Sequence, residues 1–240
     1  MTDGLDQAMA DAGLNLLRAD ASLTVLDGPV PAGQIEPEKA ALFGLALALG
    51  GFLFLEWTVN LLAAALTLAA FCFYVLVYTV VLKRTTPLNI VIGGAAGAMP
   101  PVIGWAAVNN ELAVPALIMF AIVTLWTPPH FWALSLNYSR DYERAGVPML
   151  PVVAGPAQTK RQILAYSLAL VVASLLLAIW SDAGVVYFAV ALVLGGGFLY
   201  CALRLLKSSS QRAAADLFRY SIAYLALLFC AIAVDVLVKV

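Results

Sequence analysis

Long apolar runs recur along almost the whole sequence and constrain the possible folds more than any other feature. Seven such runs are present, at about 39–55, 59–81, 89–108, 112–136, 161–180, 184–206 and 218–238. A helix needs about 20 apolar residues to cross a bilayer, and in lipid only helices and closed barrels satisfy every backbone polar group. Because 63% of the residues are hydrophobic and 11% are charged, we predict an all-α integral membrane protein, a bundle of about seven transmembrane helices.

The basic residues predict the orientation of this bundle. Loops between successive runs alternate between short acidic ones and longer basic ones. Of the 13 Lys and Arg residues, all except Lys239 fall on or next to the face that carries the N-terminus. Because Lys and Arg are enriched in cytoplasmic loops, that face is predicted to be cytoplasmic. Residues 1–38 form a polar, acidic leader on the same side, ahead of the bundle at 39–240, and no nucleic-acid partner is expected.

Proline pairs interrupt two of the runs. Pro100-Pro101 lies within the third run, and Pro128-Pro129 lies near the cytoplasmic end of the fourth. Each pair predicts a kink, because proline lacks an amide hydrogen and clashes with the preceding turn. Irregular backbone at membrane depth is tolerated where it lines a cavity enclosed by protein, although simple packing is the alternative.

The segment 126–151, WTPPHFWALSLNYSRDYERAGVPMLP, concentrates polar and aromatic residues and holds the only histidine of the chain, His130. If residues 126–144 form one kinked helix, His130, Asn137 and Asp141 share a face. Asp141 would then lie at the membrane surface, about 16 Å from His130. Ionisable groups within a span are costly and by default indicate a functional site. All three residues are therefore candidate catalytic residues.

Two of these residues, His130 and Asp141, also have a purely structural interpretation. His130 could be a neutral histidine that is hydrogen-bonded to a neighbouring helix. Asp141 could be an exposed loop carboxylate that is paired with Arg144 or Arg140. The sequence leaves both alternatives open.

A second polar segment, YTVVLKRTTPLN at 78–89, lies at the cytoplasmic end of the second run. Lys83 and Arg84 precede Pro87, and Asn89 opens the third run. Lys and Arg bind phosphate oxygens through charge-assisted hydrogen bonds, and the amides of a helix N-terminus strengthen such a site. Lys83, Arg84, Asn89 and also Arg144 are therefore candidates for binding a diphosphate, whereas a topology signal alone is the simpler interpretation of the basic pair.

Together the two segments predict a cytoplasmic mouth for a diphosphate. Mg²⁺ prefers oxygen ligands and substrate phosphates, and Asp141 and Asn137 are its candidate ligands. Aromatic rings below the mouth could line an apolar chamber that excludes water and stabilises a carbocation. The candidates are Tyr78, Trp105, Trp126 and Phe131, although aromatic residues in membrane proteins more often serve packing.

Three blocks of the sequence resemble a known family. They read YTVVLKRTTPLNIVIGGAAGAMPPVIGWAAV from residue 78, LWTPPHFWALSLNYSRDYERAGVPMLPVVAG from residue 125, and TKRQILAY from residue 159. These blocks look like the heme O synthase branch of the UbiA-type intramembrane prenyltransferases. The similarity covers about residues 29–240, and the first two blocks are highly specific to the branch.

The resemblance implies a nine-helix bundle in a bacterial inner membrane, with a cytoplasmic active site. It implies transfer of farnesyl from farnesyl diphosphate to a vinyl group of heme B, with addition of water, to give heme O. Mg²⁺ would bridge the diphosphate to two polar motifs, of which Asn137 and Asp141 match the second. His130 matches the family's histidine, a candidate for contact with heme. Heme A synthase or oxidase assembly factors are the implied partners.

The N-terminal part departs from the family pattern. The family begins with two helices, a motif of the type Asn-x-x-x-Asp-x-x-x-Asp, and then an arginine-containing segment. Residues 28–33, GPVPAG, match the end of that segment, but Gly28 stands where arginine is expected. The sequence therefore resembles a UbiA-like bundle that lacks its first two helices and its first metal motif. On that ground we predict little or no activity for the polypeptide as written.

Two other function classes remain open at this point. A non-catalytic membrane protein that binds heme or a prenyl lipid and assists oxidase assembly would use the same polar and aromatic residues. A small transporter would also use intramembrane polar groups and broken helices, but the sequence lacks the paired half-repeats that are typical of such proteins.

Overall fold

Helices make up nearly all of the described chain. The computed structural model describes residues 36–181, 184–208 and 210–238, and no strand occurs among them. The elements are α1 (Pro37–Thr58), α2 (Leu61–Cys72), a π-helix (Phe73–Leu82), α3 (Asn89–Gly97), α4 (Pro100–Asn109), α5 (Val114–Asn137), α6 (Ser139–Arg144), α7 (Leu150–Val153), α8 (Gly155–Trp180), α9 (Val185–Lys207) and α10 (Gln211–Val238). The predicted all-α fold is confirmed.

Seven helical segments of the described chain are long and apolar enough to cross a membrane, as the apolar runs predicted. α2 and the π-helix together form one of them, and α3 and α4 form another. The fifth span begins at Gly155 rather than near residue 161. Pro156 suits the first turn of a helix, where no backbone donor is required, so the helix extends beyond its apolar part. The predicted leader, 1–38, lies almost wholly outside the described residues.

The two proline pairs have different effects on the backbone. α3 ends at Gly97 and α4 begins at Pro100, so the first pair starts a new helix. Pro128 and Pro129 instead lie inside α5, which continues through them to Asn137. The third span is therefore broken, whereas the fourth remains one helix whose carbonyls one turn before the pair lack their usual donors.

α5 is the central helix of the bundle. It packs against α3 and α4 and also against α8 and α10. Its buried Ile122 and Trp132 join side chains of α8, α9 and α10 in the main hydrophobic core. α1 packs chiefly against α2 and exposes large apolar side chains such as Phe43 and Phe54. Residues on α5 can therefore contact several spans at once.

A buried carboxylate fixes the start of α9. Asp235, near the end of α10, is 3% exposed and accepts hydrogen bonds from the backbone amides of Gly184 and Tyr187. These amides belong to the first turn of α9, which has no side-chain cap of its own. The Tyr187 hydroxyl donates to the carbonyl of Ser174 at 2.8 Å, and the Ser174 hydroxyl lies 2.7 Å from that of Tyr224. Polar contacts thus join α8, α9 and α10.

Candidate active site

Most of the aromatic residues that were predicted to line a chamber lie around one cavity. It has a volume of about 330 Å³ and lies between the π-helix, α3 and α5. Tyr78, Trp126 and Phe131, three of the four side chains predicted to line a chamber, lie on its surface together with Tyr74. We call it the aromatic cavity. Its position below the loop at 83–88 places aromatic rings next to the predicted diphosphate mouth.

Two glycines of α3 bring the cavity surfaces together. The ring of Tyr78 lies so close to Gly93 that a Cβ at this position would be 2.2 Å from Tyr78 Cδ2. A Cβ at Gly94 would be 2.9 Å from Thr127 Cγ2. Both glycines therefore allow close approach of neighbouring helices, a common use of small residues in membrane proteins.

The tyrosines of the cavity lie on the π-helix, which the sequence did not predict. Lys83 N donates to Tyr78 O at 2.8 Å, and Thr79 Oγ1 donates to Tyr74 O at 3.0 Å, so both bonds span five residues. The rings of Tyr74 and Tyr78 lie 5.3 Å apart. π-helical turns are rare and frequently occur at functional sites.

A second, wholly apolar cavity of about 210 Å³ continues along the same helices. Its lining includes Ala70, Phe73, Ala96, Met99 and Phe120. On each helix these residues lie about one turn farther from the loop at 83–88 than those of the aromatic cavity. We call it the apolar cavity. The two cavities thus lie one after the other along the same helices.

His130 lies in the interface between α5 and α10, in a group of four side chains that we call the seam. The seam consists of Trp126, His130, Phe218 and Ser221. The imidazole is 8% exposed and stacks between Trp126 and Phe218, with centroid distances of 4.2 and 4.6 Å. Its Nδ1 lies 2.7 Å from Ser221 Oγ. This arrangement matches the structural alternative, a histidine hydrogen-bonded to a neighbouring helix, and the ring does not line the aromatic cavity.

The basic loop and Asn89 lie together at the end of the π-helix. Asn89 is 1% exposed, and its Nδ2 donates to the backbone carbonyl of Lys83 at 3.2 Å. Its Oδ1 is buried without a hydrogen-bond partner. Lys83 is half-buried and Arg84 is exposed. Two cationic side chains, Lys83 and Arg84, thus lie beside the N-terminus of α3. The Oδ1 atom of Asn89 next to them can still accept a hydrogen bond or bind a cation.

The helix that carries His130 ends before Asp141. α5 stops at Asn137, Tyr138 leaves helical geometry with ψ of 23°, and α6 begins at Ser139. The prediction of one continuous kinked helix over 126–144 is therefore wrong, and the expected 16 Å spacing along it does not apply. Asp141 Oδ1 lies 3.8 Å from Arg144 Nη1, in a partly exposed pair. This pair is the structural alternative considered for Asp141.

Asn137 faces a different cavity from the aromatic residues. Its Nδ2 donates to the carbonyl of Gln211 at 3.3 Å, and it lines a cavity of about 270 Å³ together with Lys160. Within 36–181, 184–208 and 210–238, no three His, Cys, Asp or Glu side chains lie close enough together to hold a metal ion. The described residues thus do not form a complete metal site by themselves.

Trp105, the fourth predicted aromatic residue, lies apart from the aromatic cavity. It belongs to α4, and Asn109 at the end of that helix donates its Nδ2 to the Trp105 carbonyl at 3.3 Å. This places Trp105 toward the end of the third span that is opposite Asn89. The break before Pro100 and the length of the span explain why Trp105 cannot reach the mouth.

The α10 residues of the seam, Phe218 and Ser221, were not predicted. Ser221 is fully buried, its Oγ donates to Phe218 O at 2.6 Å, and its carbonyl accepts from Trp126 Nε1 at 2.7 Å. A single serine within a long apolar run gives no signal that it faces a residue 91 positions away. Sequence order alone therefore could not pair α10 with α5.

Comparisons with known proteins agree with this architecture. The model of the UbiA prenyltransferase family matches residues 26–230. A solved structure from a study of digeranylgeranylglyceryl phosphate synthase superposes with a TM-score of 0.72 at 20% identity, over 87% of this chain and 73% of that one. At this identity the superposition shows a shared fold.

Curated relatives are considerably more similar in sequence. The protoheme IX farnesyltransferase of Granulibacter bethesdensis is 50% identical over 86% of this chain and 68% of its own length. That of Synechococcus elongatus is 53% identical over 87% and 66%, respectively. That of Roseiflexus sp. is 50% identical over 86% of this chain, which spans 39% of the relative. By family match and by fold, the chain belongs to the UbiA prenyltransferase family.

Proposed function

We propose that this chain carries the prenyl-transfer chemistry of a protoheme IX farnesyltransferase. In this reaction the farnesyl group of farnesyl diphosphate is joined to a vinyl group of heme B, and heme O is formed. The observation that carries the proposal is the aromatic cavity, which lies next to a basic loop, with the apolar cavity about one turn farther along the same helices. Relatives about 50% identical bear that name.

The two cavities suit a prenyl diphosphate with its anionic end at the loop. Lys83, Arg84 and the N-terminus of α3 would bind the diphosphate through charge-assisted bonds and the helix dipole. Arg144, whose side chain is 81% exposed, is a further candidate if it leaves Asp141. The isoprene units would then fill the aromatic cavity first and the apolar cavity last.

Mg²⁺ would be held by protein oxygens and the diphosphate together. Such ions are commonly bound through one or two carboxylates and substrate phosphates, so Asp141 and the amide oxygen of Asn89 are suitable donors. Asn137 would join them only if its side chain left the separate cavity that it lines with Lys160. The unpartnered Oδ1 of Asn89 supports this fit, because a buried acceptor without a donor favours a cation nearby. The ion would neutralise the charge of the departing diphosphate.

The aromatic residues would protect the reacting carbon. When the farnesyl C–O bond breaks, its electron pair leaves with the diphosphate and positive charge develops on the allylic carbon. The faces of Tyr78 and Trp126 stabilise that charge, and the apolar lining excludes water. The vinyl group supplies the electron pair of the new C–C bond, and water then adds to the resulting cation with loss of a proton.

The direct test is conversion of heme B and farnesyl diphosphate to heme O by the purified chain in lipid nanodiscs, with and without Mg²⁺. The Granulibacter relative, prepared in the same way, is the positive control for the substrates and the assay. Heme O formed by this chain only when Mg²⁺ is present is the expected result. If the chain binds heme but forms no heme O while the relative does, the non-catalytic alternative replaces this proposal.

Location and partners follow from the same proposal. We place the basic loops and the active site on the cytoplasmic side of a bacterial inner membrane, which reporter fusions after residues 84 and 110 would test. The reporter after residue 84 should lie on the cytoplasmic side of the membrane, and the reporter after residue 110 should lie on the opposite side. Since heme O would be released into the membrane, heme A synthase or oxidase assembly factors are candidate partners, testable by co-purification.

A further inference from the structure

Two hydrogen bonds from α5 converge on one residue of α10. The Trp126 indole donates to the Ser221 carbonyl, and the His130 imidazole meets the Ser221 hydroxyl, both at 2.7 Å. His130 and Ser221 are 8% and 0% exposed. A buried pair of contacts of this kind fixes the side chains more tightly than exposed contacts would.

The hydroxyl of Ser221 has a single proton, and its contacts determine where that proton goes. Oγ lies 2.6 Å from the Phe218 carbonyl, which can only accept. Both contacts of Oγ are hydrogen bonds only if the hydroxyl donates to Phe218 and accepts from His130. His130 must then carry its proton on Nδ1, and in the neutral ring Nε2 keeps an unshared electron pair.

Aromatic contacts restrict His130 further: two rings stack on its faces, and Phe131 meets it at a near-perpendicular angle with the centroids 5.1 Å apart. Trp126 covers one face and Phe218 the other. The unshared pair of Nε2 lies in the ring plane, so stacking does not block a partner that approaches the edge. Trp126 also lines the aromatic cavity, so the same contacts set the position of a cavity ring.

We propose that Ser221 is a positioning residue for the prenyl transfer. Its hydroxyl holds His130 in the Nδ1-protonated tautomer, so that Nε2 can accept a proton or a hydrogen bond. Its backbone carbonyl, which a change of side chain leaves in place, accepts from the Trp126 indole. This role in the reaction rests on the proposed function. The tautomer itself does not, and it can be measured in a protein without activity.

The tautomer is directly observable because His130 is the only histidine in the chain. We would record nitrogen-15 spectra of the protein labelled at histidine, in detergent at about pH 8, where an ordinary imidazole is neutral. The wild type should show a protonated Nδ1 and an unprotonated Nε2. Ser221→Ala should lose this preference and populate the Nε2-protonated form. A wild type protonated on Nε2, or an unchanged Ser221→Ala spectrum, overturns the proposal.

A matched control separates this effect from the loss of any buried serine. Ser167 is also fully buried, and its hydroxyl donates to the Ile163 carbonyl within α8. Ser167→Ala should leave the histidine spectrum unchanged. Ser221→Thr, which retains the hydroxyl, should restore the wild-type tautomer if it folds, as judged by circular dichroism and thermal unfolding.

Activity provides a second readout in the preparation that forms heme O. Ser221→Ala should lower kcat by about tenfold or more with a smaller change in the KM for farnesyl diphosphate, because a misplaced group costs rate more than binding. Rescue by Ser221→Thr is expected. Equal losses in Ser221→Ala and Ser167→Ala would assign the effect to stability and contradict positioning, whereas absence of heme O in the wild type would contradict only the proposed function.

Discussion

The ring of Tyr78 lies directly against the backbone of Gly93, where α3 meets the π-helix. An added Cβ would lie 2.2 Å from Cδ2 and 2.7 Å from Cε2 of the ring. Neither distance is compatible with van der Waals contact, so the ring or the helix must move in any larger variant. The shape of the aromatic cavity therefore depends on residue 93 being a glycine, which has no Cβ atom.

Gly93→Ala should displace Tyr78 and impair prenyl transfer. Overpacking of this kind costs about 1–3 kcal/mol of stability, and displacement of a cavity ring should lower heme O formation about ten- to a hundredfold. The measurements are thermal unfolding and product analysis. Gly97→Ala is the matched control, because Gly97 lines the same cavity and an added Cβ there meets nothing within 4 Å. Equal effects of both substitutions would contradict the steric explanation.

Asp141→Asn should abolish Mg²⁺-dependent turnover and leave the fold intact. The carboxylate supplies charge for the metal, whereas its long, partly exposed contact with Arg144 contributes about 0–1 kcal/mol. Mn²⁺ binding in the presence of diphosphate, followed by electron paramagnetic resonance, gives a readout besides activity. Glu143→Gln is the control, since Glu143 is an exposed acid on the same short helix. Undiminished metal binding in Asp141→Asn would remove Asp141 from the site.

His130→Ala should change how the protein binds heme. The substitution removes the imidazole from between Trp126 and Phe218 and removes one of the two hydrogen-bond contacts of the Ser221 hydroxyl. We expect an altered heme Soret band, together with a loss of stability of about 1–3 kcal/mol from the lost hydrogen bond and the lost packing. If the spectrum and rate match those of the wild type, His130 has only a structural role.

Ala96→Phe should shorten the prenyl chain that the protein accepts. Ala96 lines the apolar cavity of about 210 Å³, and a phenyl ring would occupy much of it. Transfer from farnesyl diphosphate should fall, while transfer from the shorter geranyl diphosphate should be retained. Ala96→Val should give an intermediate ratio. Equal losses with both substrates would show that the prenyl chain does not reach this cavity.

Asp235→Ala should destabilise the bundle without directly affecting the chemistry. Hydrogen bonds to a charged acceptor contribute about 1.5–3 kcal/mol, and two backbone amides at the start of α9 depend on this carboxylate. The midpoint of thermal unfolding should fall. Asp216→Asn, which disrupts a partly exposed pair with Arg204, should change it much less. Similar midpoints for the two variants would contradict the capping role.

The sequence predicted features that depend on one span at a time or on residues at the same depth in different spans. Apolar length identified seven spans, and the basic loops placed Lys83 and Arg84 beside Asn89. Aromatic residues near one end of the second and fourth spans were expected to meet, and Tyr78, Trp126 and Phe131 do so. Each of these inferences requires only hydropathy, turn residues and distance along a helix.

Features that depend on contacts between distant spans were not predicted. In lipid a helix can be apolar on all sides, so periodicity does not show which face meets which neighbour. Ser221 therefore gave no sign of facing His130. The break at Tyr138 separated Asn137 from Asp141 because one residue left helical geometry, and helical spacing alone could not reveal it.

Trp126 belongs to both the aromatic cavity and the seam, and this dual membership has a thermodynamic consequence. Whatever occupies the cavity touches the indole that also holds α10 through Ser221. Binding and helix packing are thermodynamically linked. A ligand that binds more tightly when the four side chains of the seam are in contact must therefore stabilise that contact by the same free energy. A ligand in the cavity would thus strengthen the packing of α10 against α5. The size of this effect could be measured as the decrease that the ligand causes in the rate at which the two helices separate.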